Sequence, residues 1–156
     1  MNDVQTILSH KDATVFTVEP MASIECASKS LADHGIGALI VSDAEGGTVG
    51  IISERDIVRV LSAKGGAALE TPVAEIMTRE VMACSRQDKL VDMMERMTEG
   101  KIRHLPVTEN EHLVGIISIR DVVRSRREEM GRKANATHEY IRKLDDLLRE
   151  IQIMHL

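Results

Sequence analysis

The apolar positions of this chain alternate between two spacings, one typical of buried strands and one typical of amphipathic helices. Three short apolar runs have the length of strands, namely residues 15–18, 38–41 and 49–52. Between the first two runs, apolar residues recur at helical spacing at Ile24, Ala27 and Leu31. A second helix is predicted from Ser53 to about Ser62, so the predicted order is strand, helix, strand, strand, helix.

This order of elements occurs twice along the chain. The segment 49–59 returns as residues 114–124, 65 residues further on, with nine of eleven positions identical. The strand at 15–18 and the helix after it return at an offset of 66, as residues 81–84 and as Leu90, Met93 and Met97. The difference of one residue falls in the second hairpin turn, where a deletion is tolerated. The sequence therefore indicates two copies of one supersecondary unit, which bury their apolar faces together.

We divide the chain into four segments. Residues 1–64 form the first repeat with a short N-terminal helix, residues 65–72 a linker, residues 73–131 the second repeat, and residues 132–156 a C-terminal amphipathic helix. In the last segment, apolar residues follow one another at heptad-like spacing at Tyr140, Leu144, Leu147, Ile151 and Met154. We expect this stripe to pack on the chain's own module or on a second copy, and we expect a homodimer.

The composition excludes several classes of function. The net charge of −5 gives no general attraction to nucleic acids or anionic membranes, and an aromatic content of 1% leaves few rings on which bases could stack. No stretch approaches the ~20 apolar residues of a membrane span, and the first residues lack a signal-peptide pattern. We therefore expect a soluble cytoplasmic protein that binds neither nucleic acid nor membrane.

The residue types that carry catalysis or metal binding form no recognisable motif. The six histidines are scattered and no Cys/His set has zinc spacing, so we expect no metal. Cys26 and Cys84 are far apart in the sequence and are interpreted as small buried thiols. No nucleophile–base pair is visible, and we do not expect an enzyme.

The repeated junction between strand and helix carries polar residues that packing does not require. Ser53 and Asp56, like Ser118 and Asp121, have the spacing of a capping box, in which the two side chains satisfy free amides at the helix start. A nucleotide site is the second interpretation. A helix N-terminus attracts phosphate, and a carboxylate beside it can accept hydrogen bonds from ribose hydroxyls. In both copies an arginine directly precedes the aspartate and could neutralise a phosphate.

Two β-α-β-β-α units with this junction resemble a tandem cystathionine-β-synthase (CBS) domain pair, or Bateman module, over roughly residues 5–130. The strand at residues 103–107, Arg-His-Leu-Pro-Val, is also typical of that family. The resemblance implies an α+β fold in which two CBS repeats pack with pseudo-two-fold symmetry, followed by a C-terminal helix. It also implies a cleft between the repeats that holds an adenine nucleotide such as AMP, ATP or NAD(H).

The resemblance assigns ligand-binding roles by position. Asp56 and Asp121 are expected to hold ribose hydroxyls, and the backbone around Thr17 and Ala83 is expected to face adenine. The residues expected near phosphates are Ser53, Ser118, Arg55, Arg120, Arg103 and His104. Ala38 is also counted among the ligand-binding residues, because in the first repeat it occupies the position that His104 occupies in the second. The first repeat lacks the cationic pair of residues 103–104, so the two clefts are expected to be unequal.

Two functional hypotheses follow from this resemblance. The first is a non-catalytic regulatory module that binds an adenine nucleotide and passes the change of shape to a protein that the sequence does not identify. The alternative is a structural dimerisation module whose ligand sites are vestigial. Nucleotide binding in solution distinguishes the two.

Overall fold

The computed structural model describes residues 3–12 and 14–154 of the chain, with side chains described up to residue 143. The first half consists of helix α1 (Val4–Ser9), strand β1 (Thr17–Val18), helix α2 (Ile24–His34), strands β2 (Ala38–Ser42) and β3 (Thr48–Ser53) and helix α3 (Glu54–Lys64). A 3-10 helix (Gly65–Glu70) leads to helices α4 (Val73–Ile76) and α5 (Leu90–Glu99), strands β4 (His104–Glu109) and β5 (His112–Ser118) and helix α6 (Ile119–Met154). The predicted α+β fold of two repeats and a C-terminal helix is confirmed.

Each repeat is built on its own small sheet. In the first repeat, β1 runs parallel to β2, and β2 pairs with β3 in antiparallel fashion. In the second repeat, β4 and β5 form the equivalent hairpin. Where the sequence predicts a strand over 81–84, the structure has a single parallel bridge between Cys84 and Val107. The side chains of Met82 and Ala83 are exposed, so this segment lacks the buried surface that would stabilise a longer strand.

Each repeat has its own apolar core, and a helix from the beginning of the other repeat completes that core. Val73 of α4 packs in the core of the first repeat, and three apolar residues of α1 pack in the core of the second. Backbone hydrogen bonds fix both segments: the N–H of Val4 donates to Asp88 at 2.9 Å, and that of Val73 donates to Ala22 at 2.8 Å. The width of the space between the repeats therefore depends on how α1 and α4 pack in the two cores.

Helix α6 is longer than the sequence predicts. The charged residues 126–129 do not interrupt it, because Glu129 pairs with Arg126 and Lys133, each at 2.9 Å, on the same helix face. Residues 131–143 are exposed, so this part of α6 does not pack on its own module. Neither α6 nor any other helix in the described part of the chain is long and apolar enough to cross a membrane. Four residues of the predicted apolar stripe lie outside the described side chains: Leu144, Leu147, Ile151 and Met154.

The two cysteines lie in different environments. Cys84 is buried in the second core, and this burial raises the pKa of its thiol to about 12, so the thiol is protonated and unreactive. Cys26 is exposed, and the prediction that both thiols are buried is wrong for this residue. The reason is helical geometry, since Ile24 and Ala27 define the buried side of α2 and Cys26 lies away from it.

Candidate functional site

A cavity of about 780 Å³, which we call the inter-repeat cleft, is lined by residues of both repeats. The first repeat contributes mainly apolar side chains: Phe16, Leu31, Ile36, Ala38 and Ile57. The second repeat contributes the larger share of polar side chains: Arg103, His104, Ser118, Arg120, Asp121 and Arg124. The volume is typical of a site for a small organic molecule.

The serine–aspartate pairs at the two strand-to-helix junctions form capping boxes, as the first interpretation of the motif predicts. Asp56 Oδ2 accepts hydrogen bonds from the backbone N–H and the hydroxyl of Ser53, both at 2.9 Å. Asp121 Oδ2 accepts the equivalent bonds from Ser118 at 2.8 and 3.0 Å. The boxes involve one oxygen of each carboxylate, so the other remains a possible acceptor for a ligand.

Among the described residues, Asp121 has an ionic partner that Asp56 lacks. The Lys11 ammonium lies 2.8 Å from Asp121 Oδ2 and also donates to the carbonyl of Ile116 at 3.1 Å. Burial raises the pKa of the Asp121 carboxyl, but the hydrogen bonds from Lys11 and Ser118 lower it by more, and the pKa lies below its ordinary value. Asp121 is therefore an ionised acceptor at neutral pH.

Sequence reasoning missed Lys11, because the offset between the repeats changes just before β1. Leu8 packs on Gly115 as Met77 packs on Gly50, so α1 and α4 correspond at an offset of 69. The strands that follow correspond at 66, which leaves three additional residues between α1 and β1. Lys11 lies in this longer connection. A self-alignment that allows this insertion would have shown an unmatched lysine.

His104 lies against Gly37, and the two come from positions at which the repeats differ. A Cβ atom at Gly37 would approach both Cε1 and Nε2 of the His104 ring to 3.3 Å. Burial lowers the pKa of the imidazole, and the nearby Lys11 lowers it further. The ring is therefore neutral at neutral pH, and it fills space that a larger residue at position 37 would occupy.

The inter-repeat cleft is positively charged, although the whole chain carries a net charge of −5. Four cationic side chains and two acidic ones line it: Lys11, Arg103, Arg120 and Arg124, with Glu54 and Asp121. This excess of positive charge favours an anionic ligand, while the apolar wall of the first repeat suits a flat or apolar part of the same molecule. Within the described residues, no three His, Cys, Asp or Glu side chains are placed to hold a metal ion.

A smaller pocket of about 390 Å³ occupies the pseudo-symmetric position. Its residues Met97, Thr98, Lys101 and Ile102 correspond, at the offset of 66, to Leu31, Ala32, Gly35 and Ile36 of the inter-repeat cleft. Arg55 and Arg103 also line it, but Asp56 does not. The two pockets are thus unequal, in volume and in access to an aspartate.

The structure brings together six of the eleven residues predicted to bind ligand. Those that line the inter-repeat cleft are Ala38, Arg103, His104, Ser118, Arg120 and Asp121. Arg55 lines the smaller pocket, and Ser53 and Asp56 line neither. Thr17 and Ala83 also line neither pocket, and their side chains are exposed. Next to Thr17, the cleft wall is formed by Phe16, which sequence reasoning did not single out.

Known proteins are similar to this chain in sequence. The family model for the CBS domain matches the chain twice, over residues 7–63 and 73–128. A 17.7 kDa protein of Acidianus ambivalens is 37% identical over 112 residues, covering 71% of this chain and 66% of that protein. The mitochondrial CBS domain-containing protein CBSX3 of Arabidopsis thaliana is 37% identical over 114 residues, covering 68% of this chain and 55% of that protein. The chain thus matches less than two thirds of the length of these relatives.

Solved structures of similar proteins extend the comparison. The CBS-domain containing protein ATU1752 from Agrobacterium tumefaciens has a TM-score of 0.78 and 44% identity, covering 80% of this chain and 92% of that one. The CBS domain pair of MJ0100, in complex with 5′-methylthioadenosine and S-adenosyl-L-methionine, has a TM-score of 0.70 and 29% identity, covering 80% and 94%. PAE2072 from Pyrobaculum aerophilum, complexed with AMP, has a TM-score of 0.68 and 26% identity, covering 76% and 88%. With the family model matched in both repeats, this chain belongs to the CBS domain family and is a tandem CBS pair.

Proposed function

We propose that this protein is a non-catalytic regulatory module that binds an adenine nucleotide in the inter-repeat cleft. One observation carries the proposal: an ionised aspartate, an excess of cationic side chains and an apolar wall converge on a cavity of about 780 Å³. The Asp121 carboxylate can accept hydrogen bonds from ribose hydroxyls, and the arginines can neutralise phosphate. The apolar wall, with Phe16 and Ile36, can pack on the base.

The ligands of related structures support an adenosine-containing molecule. AMP, 5′-methylthioadenosine and S-adenosyl-L-methionine, which are bound in PAE2072 and MJ0100, all contain adenosine. They differ in charge, since AMP carries a phosphate and S-adenosyl-L-methionine a sulfonium cation. The excess of positive charge in the present cleft favours the phosphate-bearing type. We therefore propose AMP, ATP or NAD(H) as the ligand class.

Titration calorimetry tests this function directly. We expect at least one of AMP, ATP and NADH to bind with a Kd in the micromolar range, and more tightly than adenosine, which lacks the phosphate. The same ligand should raise the thermal unfolding temperature, and this rise should continue as the ligand concentration increases above the Kd. Absence of both heat and thermal shift with every adenine ligand would refute nucleotide binding. Mass spectrometry of small molecules released from the purified protein provides an independent identification.

A regulatory role requires that the ligand prefer one conformation of the protein over another. The repeats face each other across the cleft and exchange the helices α1 and α4, so a change in cleft width has to move both cores. We propose that closure of the cleft on the nucleotide is the signal passed to an unidentified partner protein. Chromatography after incubation with ATP or NADH should recover the nucleotide unchanged, whereas a product would contradict the non-catalytic assignment.

The distal part of α6 supports self-association as a second function. Residues 131–143 are exposed along this part of the helix. Met130, Tyr140 and Ile141 are exposed to 65%, 64% and 49%, although all three are large apolar side chains. Apolar surface of this kind on a projecting helix is typical of a contact between proteins. We propose that it contributes to a homodimer.

Deletion of residues 134–156 separates the two functions. We expect the shortened protein to lose self-association in sedimentation equilibrium and to keep its nucleotide affinity, because among the described residues none that lines the cleft lies beyond Arg124. A full-length protein that is already monomeric would remove the second function. Loss of nucleotide binding in a folded shortened protein would instead show that α6 contributes to the cleft.

A further inference from the structure

Lys11 is a cation of the inter-repeat cleft that belongs to neither copy of the repeated motif. Its ammonium donates to Asp121 Oδ2 at 2.8 Å and to the carbonyl of Ile116 at 3.1 Å. Its side chain is 35% exposed and that of Asp121 is 15% exposed, and both residues line the inter-repeat cleft. An ammonium has three N–H donors, of which these two contacts use two.

In the first repeat, a backbone bridge takes the position that corresponds to the contact between Lys11 and the carbonyl of Ile116. There Ile51, the counterpart of Ile116, forms an antiparallel bridge with Thr78, with hydrogen bonds of 3.0 and 2.9 Å. The carbonyl of Ile51 is thus satisfied by the backbone of the segment that follows α4. In the second repeat the carbonyl of Ile116 accepts from the side chain of Lys11 instead. The three additional residues between α1 and β1 provide the length for this difference.

The lysine also changes how the aspartate is held. Asp121 Oδ2 accepts from the backbone N–H and the hydroxyl of Ser118 and from Lys11, three donors in all. A carboxylate offers about four acceptor sites over its two oxygens, so Oδ2 is saturated. Oδ1 forms no hydrogen bond with the described residues and is the oxygen left for a ligand. Asp56 has the same two bonds from Ser53 but no lysine partner in the described part of the chain.

We propose that Lys11 is a specificity-determining residue of the nucleotide cleft, which positions the Asp121 carboxylate so that it selects ligands with a ribose diol. This inference rests on the proposed function, since it concerns how the same site recognises the sugar. Lys11 fixes the carboxylate by Oδ2 and Ile116 fixes Lys11, so the orientation of Oδ1 is determined before the ligand arrives. Such preorganisation increases affinity by reducing the ordering that binding requires.

The test compares ligands with and without the diol. In Lys11→Met, which keeps the length and apolar part of the side chain, we expect the affinity for AMP to fall about tenfold. We expect the affinity for 2′,3′-dideoxy-AMP, which has the same base and phosphate, to fall by less, because this analogue loses only the attraction of the Lys11 charge for its phosphate. The preference for AMP over its dideoxy analogue should therefore decrease in the variant. Combined with Asp121→Ala, the substitution should cause little further loss of AMP affinity, because the two residues act as a unit.

Lys29→Met is the matched control, because Lys29 forms a 2.8 Å pair with Glu25 on the exposed side of α2 and lines neither pocket. Its affinity for both ligands should equal that of the wild type. Equal losses for AMP and dideoxy-AMP in Lys11→Met would show a general effect of charge on phosphate and would overturn the proposal, as would unchanged or tighter AMP binding. If the wild type binds no adenine ligand at all, the proposed function fails with it.

Discussion

Replacement of Asp121 by alanine is expected to weaken AMP binding by roughly ten- to a hundredfold, whereas the same replacement of Asp56 should leave binding nearly unchanged. The prediction follows from the positions of the two carboxylates. Asp121 lines the inter-repeat cleft, and Asp56 lines neither that cleft nor the smaller pocket. A hydrogen bond to a charged group contributes about 1.5–3 kcal/mol, and Asp121 is proposed to make one or more with the ribose.

The two variants form a matched pair, because both aspartates close the same kind of capping box. Each replacement removes hydrogen bonds of about 3 Å to the serine at the start of the helix. Each should therefore lower the free energy of unfolding by about 1 kcal/mol through the lost cap. Asp121→Ala additionally leaves Lys11 without its carboxylate. Urea unfolding measures this cost, and calorimetry of the folded variants measures affinity.

The comparison has clear contrary outcomes. If both variants lose nucleotide affinity to the same extent, the effect comes from the helix caps or from a second site that uses Asp56. If neither loses affinity, the carboxylate does not contact the sugar and the ribose is recognised elsewhere. Only a loss confined to Asp121→Ala supports one nucleotide site built on the second repeat.

The parts of this molecule that follow from local rules were predictable from the sequence. The repeated Ser-x-x-Asp junction predicts two capping boxes, and both form with nearly the same distances. The duplication predicts two equivalent units, and the hairpins β2–β3 and β4–β5 pair in equivalent registers. Each of these features depends on residues that are close in sequence or on a pattern long enough to be repeated.

The inequality of the two clefts depends on contacts between distant segments and was only partly predictable. The mismatch of residues 37–38 with 103–104 indicates unequal sites, but the packing of His104 on Gly37 requires the relative placement of two repeats. The position of Lys11 depends on three additional residues between α1 and β1, and a comparison of the two repeats at one fixed offset does not reveal them. Asp56 has the right motif and lies outside both pockets. A motif therefore identifies a candidate residue, and the packing around it determines whether a ligand can reach it.

The outer edge of β3 is closed by the backbone bridge to Thr78, whereas the equivalent edge of β5 is open and is contacted by Lys11. The two edges also differ in the space beside the strand, as two equivalent glycines show. A Cβ atom at Gly50 would lie 2.6 Å from Met77 Sδ and 3.0 Å from the backbone oxygen of Thr78. For a Cβ atom at Gly115 the three nearest atoms all belong to the side chain of Leu8, with Cδ2 at 2.8 Å and the next atom at 3.6 Å. The first glycine thus faces backbone that cannot rotate away, while the second faces one methyl group.

Gly50→Ala is therefore expected to lower the free energy of unfolding by about 1–3 kcal/mol, the usual cost of overpacking a closely packed site. The Thr78 oxygen that must move is the acceptor for the N–H of Ile51 at 3.0 Å, so the substitution also strains the bridge that closes the first repeat. Gly115→Ala should cost less than about 1 kcal/mol, because a shift of the Leu8 side chain relieves its contact and alanine is favoured over glycine in a strand.

Urea unfolding of the two alanine variants and the wild type measures this difference. Calorimetry with AMP should give a nearly unchanged affinity for Gly50→Ala, because neither Ile51 nor Thr78 lines the inter-repeat cleft. Equal destabilisation by both substitutions would mean that β3 and β5 are equally closely packed at these edges. That result would contradict the difference between the Thr78 bridge in the first repeat and the Lys11 contact in the second. A large loss of AMP affinity in a folded Gly50→Ala protein would instead mean that the closed edge of the first repeat takes part in nucleotide binding.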